Sequence, residues 1–114
     1  MNNEIQKFYH NEFGELEVLT IEDKYYFPAV ECATILNYAN PHNAILRHCK
    51  GSLKRGALTP GGTQSVKYIP EGDLYRLIIR SKLSSAQRFE SWVFDEVLPS
   101  IRKHGAYIMP ELLE

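Results

Sequence analysis

Asn43, Arg47 and Lys50 recur at i, i+4 and i+7, a spacing that would gather an amide, a guanidinium and an ammonium on one helix face. An amide pairs bidentately with the edge of adenine and a guanidinium with that of guanine. Each such contact is worth about 1–3 kcal/mol of discrimination in the major groove of DNA. The chemistry on offer is recognition of bases, with Asn43 and Arg47 as the expected readers. Around them Lys50, Lys54, Arg55 and Lys67 supply charges suited to phosphates, which position a protein on a duplex and make binding salt-dependent without specifying sequence. Asn40 is placed to cap the helix and touch the DNA backbone at once. The plain alternative is a solvated helix face beside a few surface lysines.

The elements that must carry these side chains can be read from punctuation. Asn40-Pro41 is a start signal, asparagine as N-cap and proline at the first helical position, for a short helix closing at Gly51 with Ile45 and Cys49 inward. Pro28 starts an earlier helix with Val30, Ala33 and Leu36 as its apolar seam and Asn37 at its end. Two short helices in series form a helix-turn-helix candidate. Residues 53–58 and 64–69 then read as strands around Thr59-Pro60-Gly61-Gly62-Thr63, a strong turn signal. A hairpin directly behind such a pair has the layout of a wing.

Charge is segregated along the chain. Residues 32–70 contain no Asp or Glu, while Arg47, Lys50, Lys54, Arg55 and Lys67 give five positive charges. Residues 1–31 hold seven acids (Glu4, Glu12, Glu15, Glu17, Glu22, Asp23, Glu31) against Lys7 and Lys24. The net charge of −1 hides this distribution, which matters more to a polyanion than the sum.

The flanking thirds read as scaffold. Residues 5–9, 15–21 and 24–27 are β-prone runs separated by a turn at Gly14 and another at Glu22-Asp23, an antiparallel meander with Phe8 and Phe27 as core. Leu74, Leu77, Ile78 and Ser81 share a face of one C-terminal helix, with Asp73 as its expected cap. Ser84 and Gln87 have capping-box spacing for a second, whose stripe is Ala86, Phe89, Val93, Val97 and Ile101, widened by Trp92. Pro99 should kink it near residues 95–99, and Arg102, Lys103, His104 and Gly105 should close it. The expected fold class is α+β: small antiparallel strands and hairpins packed on helices, a helix-turn-helix-like pair, a hairpin, and two longer C-terminal helices. Residues 1–107 are expected to form one domain, and 108–114 the start of a linker or C-terminal extension.

Catalysis is not indicated. No G-x-S-x-G, P-loop or H-E-x-x-H motif occurs, and no cofactor is expected. Cys32, His42, His48 and Cys49 are the only imaginable metal set, but His48 and Cys49 are adjacent on a helix and point roughly 100° apart, so no metal is expected. Both cysteines should be reduced, two being too few for a disulfide framework. No apolar run approaches the ~18 residues of a membrane span, and no charged-then-apolar leader opens the chain. A cytoplasmic location with no membrane partner follows as the expectation.

The run LYRLIIRSKL, the spaced Ala86, Phe89 and Trp92-Val93, and then Glu96-Val97-Leu98-Pro99-Ser100-Ile101-Arg102-Lys103 and Gly105-Ala106-Tyr107 carry a resemblance that periodicity does not supply. They resemble the C-terminal half of the BRO family N-terminal domain (Bro-N), which heads phage and prophage antirepressors and baculovirus BRO proteins. Tyr26-Phe27, Ala33, Leu36, Tyr38 and Asn40 are similar to that family's weaker N-terminal block, so the likeness runs from Phe8 to Tyr107. It departs at Glu31-Cys32, at Leu36-Asn37-Tyr38 and at Pro70-Glu71-Gly72-Asp73-Leu74-Tyr75, where the family commonly has other residues. Asparagine can replace glycine at a left-handed position and proline can start a helix, so the fold is unaffected.

The resemblance implies the DNA-binding N-terminal domain of a phage-type antirepressor, a non-catalytic transcriptional regulator acting on double-stranded DNA in the cytoplasm of a bacterial host. The alternative it implies is a protein-interaction module that binds and inactivates a repressor protein. Aromatics such as Tyr25, Tyr75 and Tyr107 could anchor a partner or a twin subunit, and a homodimer is expected if DNA is read as half-sites.

Overall fold

The computed structural model describes residues 4–59 and 62–104. They form one five-stranded antiparallel sheet with helices, an α+β architecture. The strands are β1 (Glu4–His10), β2 (Gly14–Ile21), β3 (Lys24–Pro28), β4 (Leu53–Thr59) and β5 (Gly62–Pro70), in the order β1-β2-β3-β5-β4. The N-terminal meander is present as expected. What periodicity could not show is that the second hairpin joins it, with Phe27 opposite Ile69 and Tyr26 opposite Pro70. The expected wing therefore supplies two of the five strands of the central sheet.

Local chemistry explains the turns. Gly14 opens β2 with φ 79°, in the left-handed region that glycine enters freely. Between β2 and β3, Glu22 and Asp23 take φ 50° and 68°, the mirror-image conformation that matches strand twist in a two-residue hairpin. Thr59 pairs with Gly62, so the second hairpin closes tightly; Pro60 and Gly61 lie outside the described residues.

Helix α1 (Ala29–Ile35) follows β3 directly. Pro28 is still strand and stands at the N-cap position, one residue earlier than the expected first helical turn. Asn37 ends this helix with φ 65°, and its N–H donates to the Thr34 carbonyl at 2.9 Å. Helix α3 (Glu71–Arg80) is stitched to the end of α1 by two bonds: Tyr38 Oη donates to the Leu77 carbonyl (2.7 Å) and Ser81 Oγ to the Leu36 carbonyl (3.0 Å). Ser81 thus leaves the helix instead of extending its apolar face.

Two capping expectations are overturned. Asp73 does not cap α3; Pro70 holds that position, and the Asp73 carboxylate turns away to another segment. Ser84 and Gln87 form no capping box either. Helix α4 (Ala86–Ser91) starts after Ser85, whose backbone is already helical, and the Ala86 N–H is satisfied by the Leu83 carbonyl at 3.0 Å. The start is thus closed at Ala86 and Phe89 by backbone acceptors, with the Phe89 N–H donating to the Ser85 carbonyl at 3.0 Å.

A π-helical segment (Trp92–Val97) links α4 to α5 (Leu98–His104). The expected distortion near Pro99 thus takes the form of a widened turn, which removes the demand for a Pro99 donor and eases its ring past the preceding carbonyls. The stripe of Ala86, Phe89, Trp92, Val93, Val97 and Ile101 is buried throughout. It packs with Leu16, Val18, Phe27, Ile69, Leu74 and Leu77 into one core. Fully burying such a side chain is worth about 1.5–3 kcal/mol. Arg102 spends its charge on Glu71 (2.8 Å) and lies 5.4 Å over the Tyr25 ring, a specific anchor beyond the general dipole role. Gly105 and residues 108–114, with the extension expected there, lie outside the described residues.

Candidate nucleic-acid interface

Helix α2 (Pro41–His48) is built by its first residues. Asn40 Oδ1 accepts from the Asn43 N–H at 3.1 Å, and Pro41 sits at N1, where its missing donor costs nothing. Ala44 and Ile45 are buried, which turns His42, Asn43, Leu46 and Arg47 outward. Asn40 therefore commits its carbonyl oxygen to the cap.

The helix stops at His48, earlier than Gly51, for a reason outside its own sequence. The buried Asp73 carboxylate (1% exposed) accepts from the Lys50 N–H at 2.9 Å and the Gly51 N–H at 2.7 Å through Oδ2, and from Arg76 Nη1 at 2.7 Å through Oδ1. These charge-assisted bonds to backbone donors outcompete another helical turn. The chain passes close by: a Cβ on Gly51 would lie 3.2 Å from Pro70 Cγ, so only glycine fits without a shift. Lys50 consequently lies beyond the helix, and the i+7 alignment with Asn43 and Arg47 is not realised.

The hairpin behind α2 divides the remaining cations. Lys54 pairs with Lys67 and Arg55 with Val66. Paired residues share a sheet face and successive ones alternate. The two lysines therefore stand together on one face, and Arg55 stands on the other. Arg55 shares that second face with Tyr68, whose hydroxyl donates to Glu17 Oε1 at 3.4 Å. Lys54 and Lys67 line a cleft of about 460 Å³ together with His42 of α2, Ser65, Val66, Val30 and Glu31. Glu31 is exposed on α1, and partial desolvation of its carboxyl, reinforced by Glu17 and Glu15, raises it above its ordinary value.

The arrangement brings together Asn43 and Arg47 on exposed α2, and Lys54 with Lys67 beside that helix's first turn. It leaves Arg55 on the far face and Lys50 on the pinned connection. Three participants hold places that the sequence pattern does not give them. His42 was weighed only as a metal ligand. Leu46 is 72% exposed between Asn43 and Arg47, an apolar break in a polar face that inspection of the pattern could have found. Asp73 reads in the sequence only as a helix cap, because its backbone partners Lys50 and Gly51 lie more than twenty residues away. Both cysteines are held as thiols rather than thiolates: burial pushes the Cys32 thiol far up, and half-buried Cys49 is pushed up to about 11 by desolvation and then by Asp73.

None of Arg47, Lys50, Lys54, Arg55 and Lys67 forms an ion pair among the described residues. Among those residues, too, no group of three or more His, Cys, Asp or Glu gathers as for a metal, and no helix is long and apolar enough to cross a membrane.

Comparison with known proteins bears on the scaffold that holds these groups. The model of the BRO family N-terminal domain matches residues 15–99. A Haemophilus influenzae protein described as uncharacterized is 42% identical over 119 residues, covering 99% of this chain and 59% of that protein. A Bro-N domain-containing protein of invertebrate iridescent virus 6 is 32% identical over 115 residues, covering 82% of this chain and 27% of its own length. Another, from invertebrate iridescent virus 3, is 48% identical over 40 residues, 35% of this chain and 10% of that protein. The chain thus spans only part of the length of these relatives. No solved structure matches it. From β2 through the π-helical segment to Pro99, the residues that build this sheet and its helices are those of a Bro-N domain, and the chain belongs to the BRO family.

Proposed function

We propose that the chain is a DNA-binding domain of a phage-type antirepressor, a transcriptional regulator that grips double-stranded DNA with α2 and the β4–β5 hairpin. The observation that carries this reading is the distribution of partnered charge. Lys7, Arg76, Arg88 and Arg102 each meet a carboxylate, whereas Arg47, Lys50, Lys54, Arg55 and Lys67, gathered on α2, the hairpin and the connection between them, meet none among the described residues; the other cations without an ion pair there, Lys24, Arg80, Lys82 and Lys103, lie outside that stretch. Leaving five like charges unpaired costs self-repulsion, which a polyanion relieves. Helix α2 is roughly 12 Å long, a length suited to lie in a major groove. There Asn43 and Arg47 read base edges, and Leu46 between them offers an apolar surface to a thymine methyl. Lys54 and Lys67, with His42 beside them, hold a backbone phosphate, while Lys50 and Arg55 contribute at longer range. Membership of the Bro-N family supports the same reading.

Titration of a mixed-sequence duplex at rising salt tests it. Affinity should fall linearly on a log–log scale, with a slope of roughly −0.9 for each phosphate neutralised. Binding that is absent at low salt, or indifferent to salt, would overturn the assignment. It would leave capture of a repressor protein, the other activity the family likeness implies, as the reading to pursue.

A further inference from the structure

Helix α3 carries apolar side chains on two sides. Leu74, Leu77 and Ile78 are buried in the core, while Tyr75 and Ile79, one turn apart, are 47% and 58% exposed. An amphipathic surface helix needs one apolar stripe, so this second stripe is surplus to the fold. Phe94 of the π-helical segment extends it, meeting the Tyr75 ring edge-on at 6.0 Å. The stripe forms one wall of a groove of about 420 Å³ between α3 and α4, lined by Tyr75 and Ile79 with buried Ile78 and Ala86 and, on the other side, Leu83 and Glu90.

The charges flanking this strip are opposite in sign. Exposed Arg80 follows Ile79 on α3, roughly 100° further round the helix, while Glu90 stands across the groove on α4. Neither forms an ion pair among the described residues. A strip with a cation on one flank and an anion on the other is complementary to itself, because a two-fold rotation lays each flank against the opposite one. A partner of another kind would not require that pairing of signs.

We propose that the Tyr75–Ile79 strip is the isologous contact of a homodimer. Each copy seats its two exposed side chains in the α3–α4 groove of the other, and Arg80 of each faces Glu90 of its twin. The contact is separate from α2 and the hairpin, so it leaves the cationic surface of both copies free. It is also measured without nucleic acid, so its failure and that of the DNA reading are told apart.

Sedimentation equilibrium of the whole chain over a concentration series is the test, with circular dichroism confirming that each variant is folded. The chain should show a reversible monomer–dimer equilibrium. Ile79→Glu and Tyr75→Ser, both at exposed positions, should each raise the dimer Kd by roughly thirtyfold. Arg80→Glu and Glu90→Arg should each raise it by roughly threefold to tenfold, and the double exchange should return it to near the original value. A monomeric mass throughout, open-ended assembly, a dimer indifferent to Ile79→Glu, or a double exchange that fails to restore association would each overturn the proposal.

Discussion

The two edges of the sheet handle charge in opposite ways. At the β1–β2 edge acids meet bases: Lys7 lies 3.4 Å from Glu15, and Arg88 reaches Glu12 at 2.7 Å across to α4. At the β4–β5 edge the cations are unpaired among the described residues, and the Asp73 carboxylate that holds the connection before β4 is spent on the Lys50 and Gly51 backbone and on Arg76. The Arg76–Asp73 and Arg88–Glu12 pairs have the same 2.7 Å separation, yet Asp73 is 1% exposed and Glu12 39%. Distance therefore says little about what a pair does. The exposed pair satisfies a hairpin tip that aromatic packing already secures, with Phe13 against Phe89 and Trp92 at 5.1 and 6.1 Å. The buried carboxylate fixes where α2 ends and where the basic hairpin begins.

Breaking the buried partner should have the largest effect. Asp73→Ala leaves the Lys50 and Gly51 N–H groups without their acceptor and Arg76 without its counter-charge, which should lower stability by about 3 kcal/mol in urea unfolding. Duplex affinity should drop further than the remaining folded fraction accounts for, because α2 and the hairpin lose their mutual register. Arg47→Ala should cost about 1–3 kcal/mol against the preferred duplex and almost nothing against mixed sequence, read by competition binding. Lys54→Ala with Lys67→Ala should weaken all sequences alike and make the salt slope shallower by about 2. If Arg47→Ala and the lysine pair gave the same profile, the division between reading and gripping would be wrong.

What was legible in the sequence follows the reach of each interaction. The meander, the helices and the buried stripe from Ala86 to Ile101 rest on periodicities of a few residues and are present, with α2 shorter than its pattern and the last helix divided by a π-helical segment. The Asn40-Pro41 start was legible for the same reason, since cap and donor are three residues apart. The end of α2 was not, because it is set by a carboxylate more than twenty residues downstream. The faces of Lys54, Lys67 and Arg55 depended on strand register, and a single residue of register inverts every face. The joining of the two hairpins through β3 and β5 likewise required the long-range pairing of Phe27 with Ile69.

The exposed pair at the other edge should behave differently. The Arg88 guanidinium holds the Glu12 carboxyl below its ordinary value, so its contribution exists above the usual carboxylate range and fades as pH falls through the lowered value. Both groups are exposed and screened, so Arg88→Ala should leave the urea midpoint nearly unchanged at neutral pH. A loss comparable to that of Asp73→Ala would show that the hairpin tip depends on this ion pair, contrary to the contrast drawn between the edges.

The finest test lies where the two charge regimes meet, at Glu31. This residue lines the cleft of Lys54 and Lys67 and is raised by partial desolvation and by Glu17 and Glu15 of the acidic edge. A carboxyl raised on folding binds its proton more tightly in the native state, so stability falls as pH climbs from the unfolded value through the folded one. Glu31→Gln should therefore be slightly more stable than the original chain above that window and equal to it below. The same substitution removes an anion from beside the proposed phosphate grip, so duplex affinity should rise modestly at neutral pH, with the gain vanishing in acid. Stability and affinity read different sides of one carboxyl: stability its contact with the acidic strands, affinity its contact with the basic hairpin. A stability gain without an affinity gain would confine Glu31 to the acidic edge and move the phosphate grip away from this cleft.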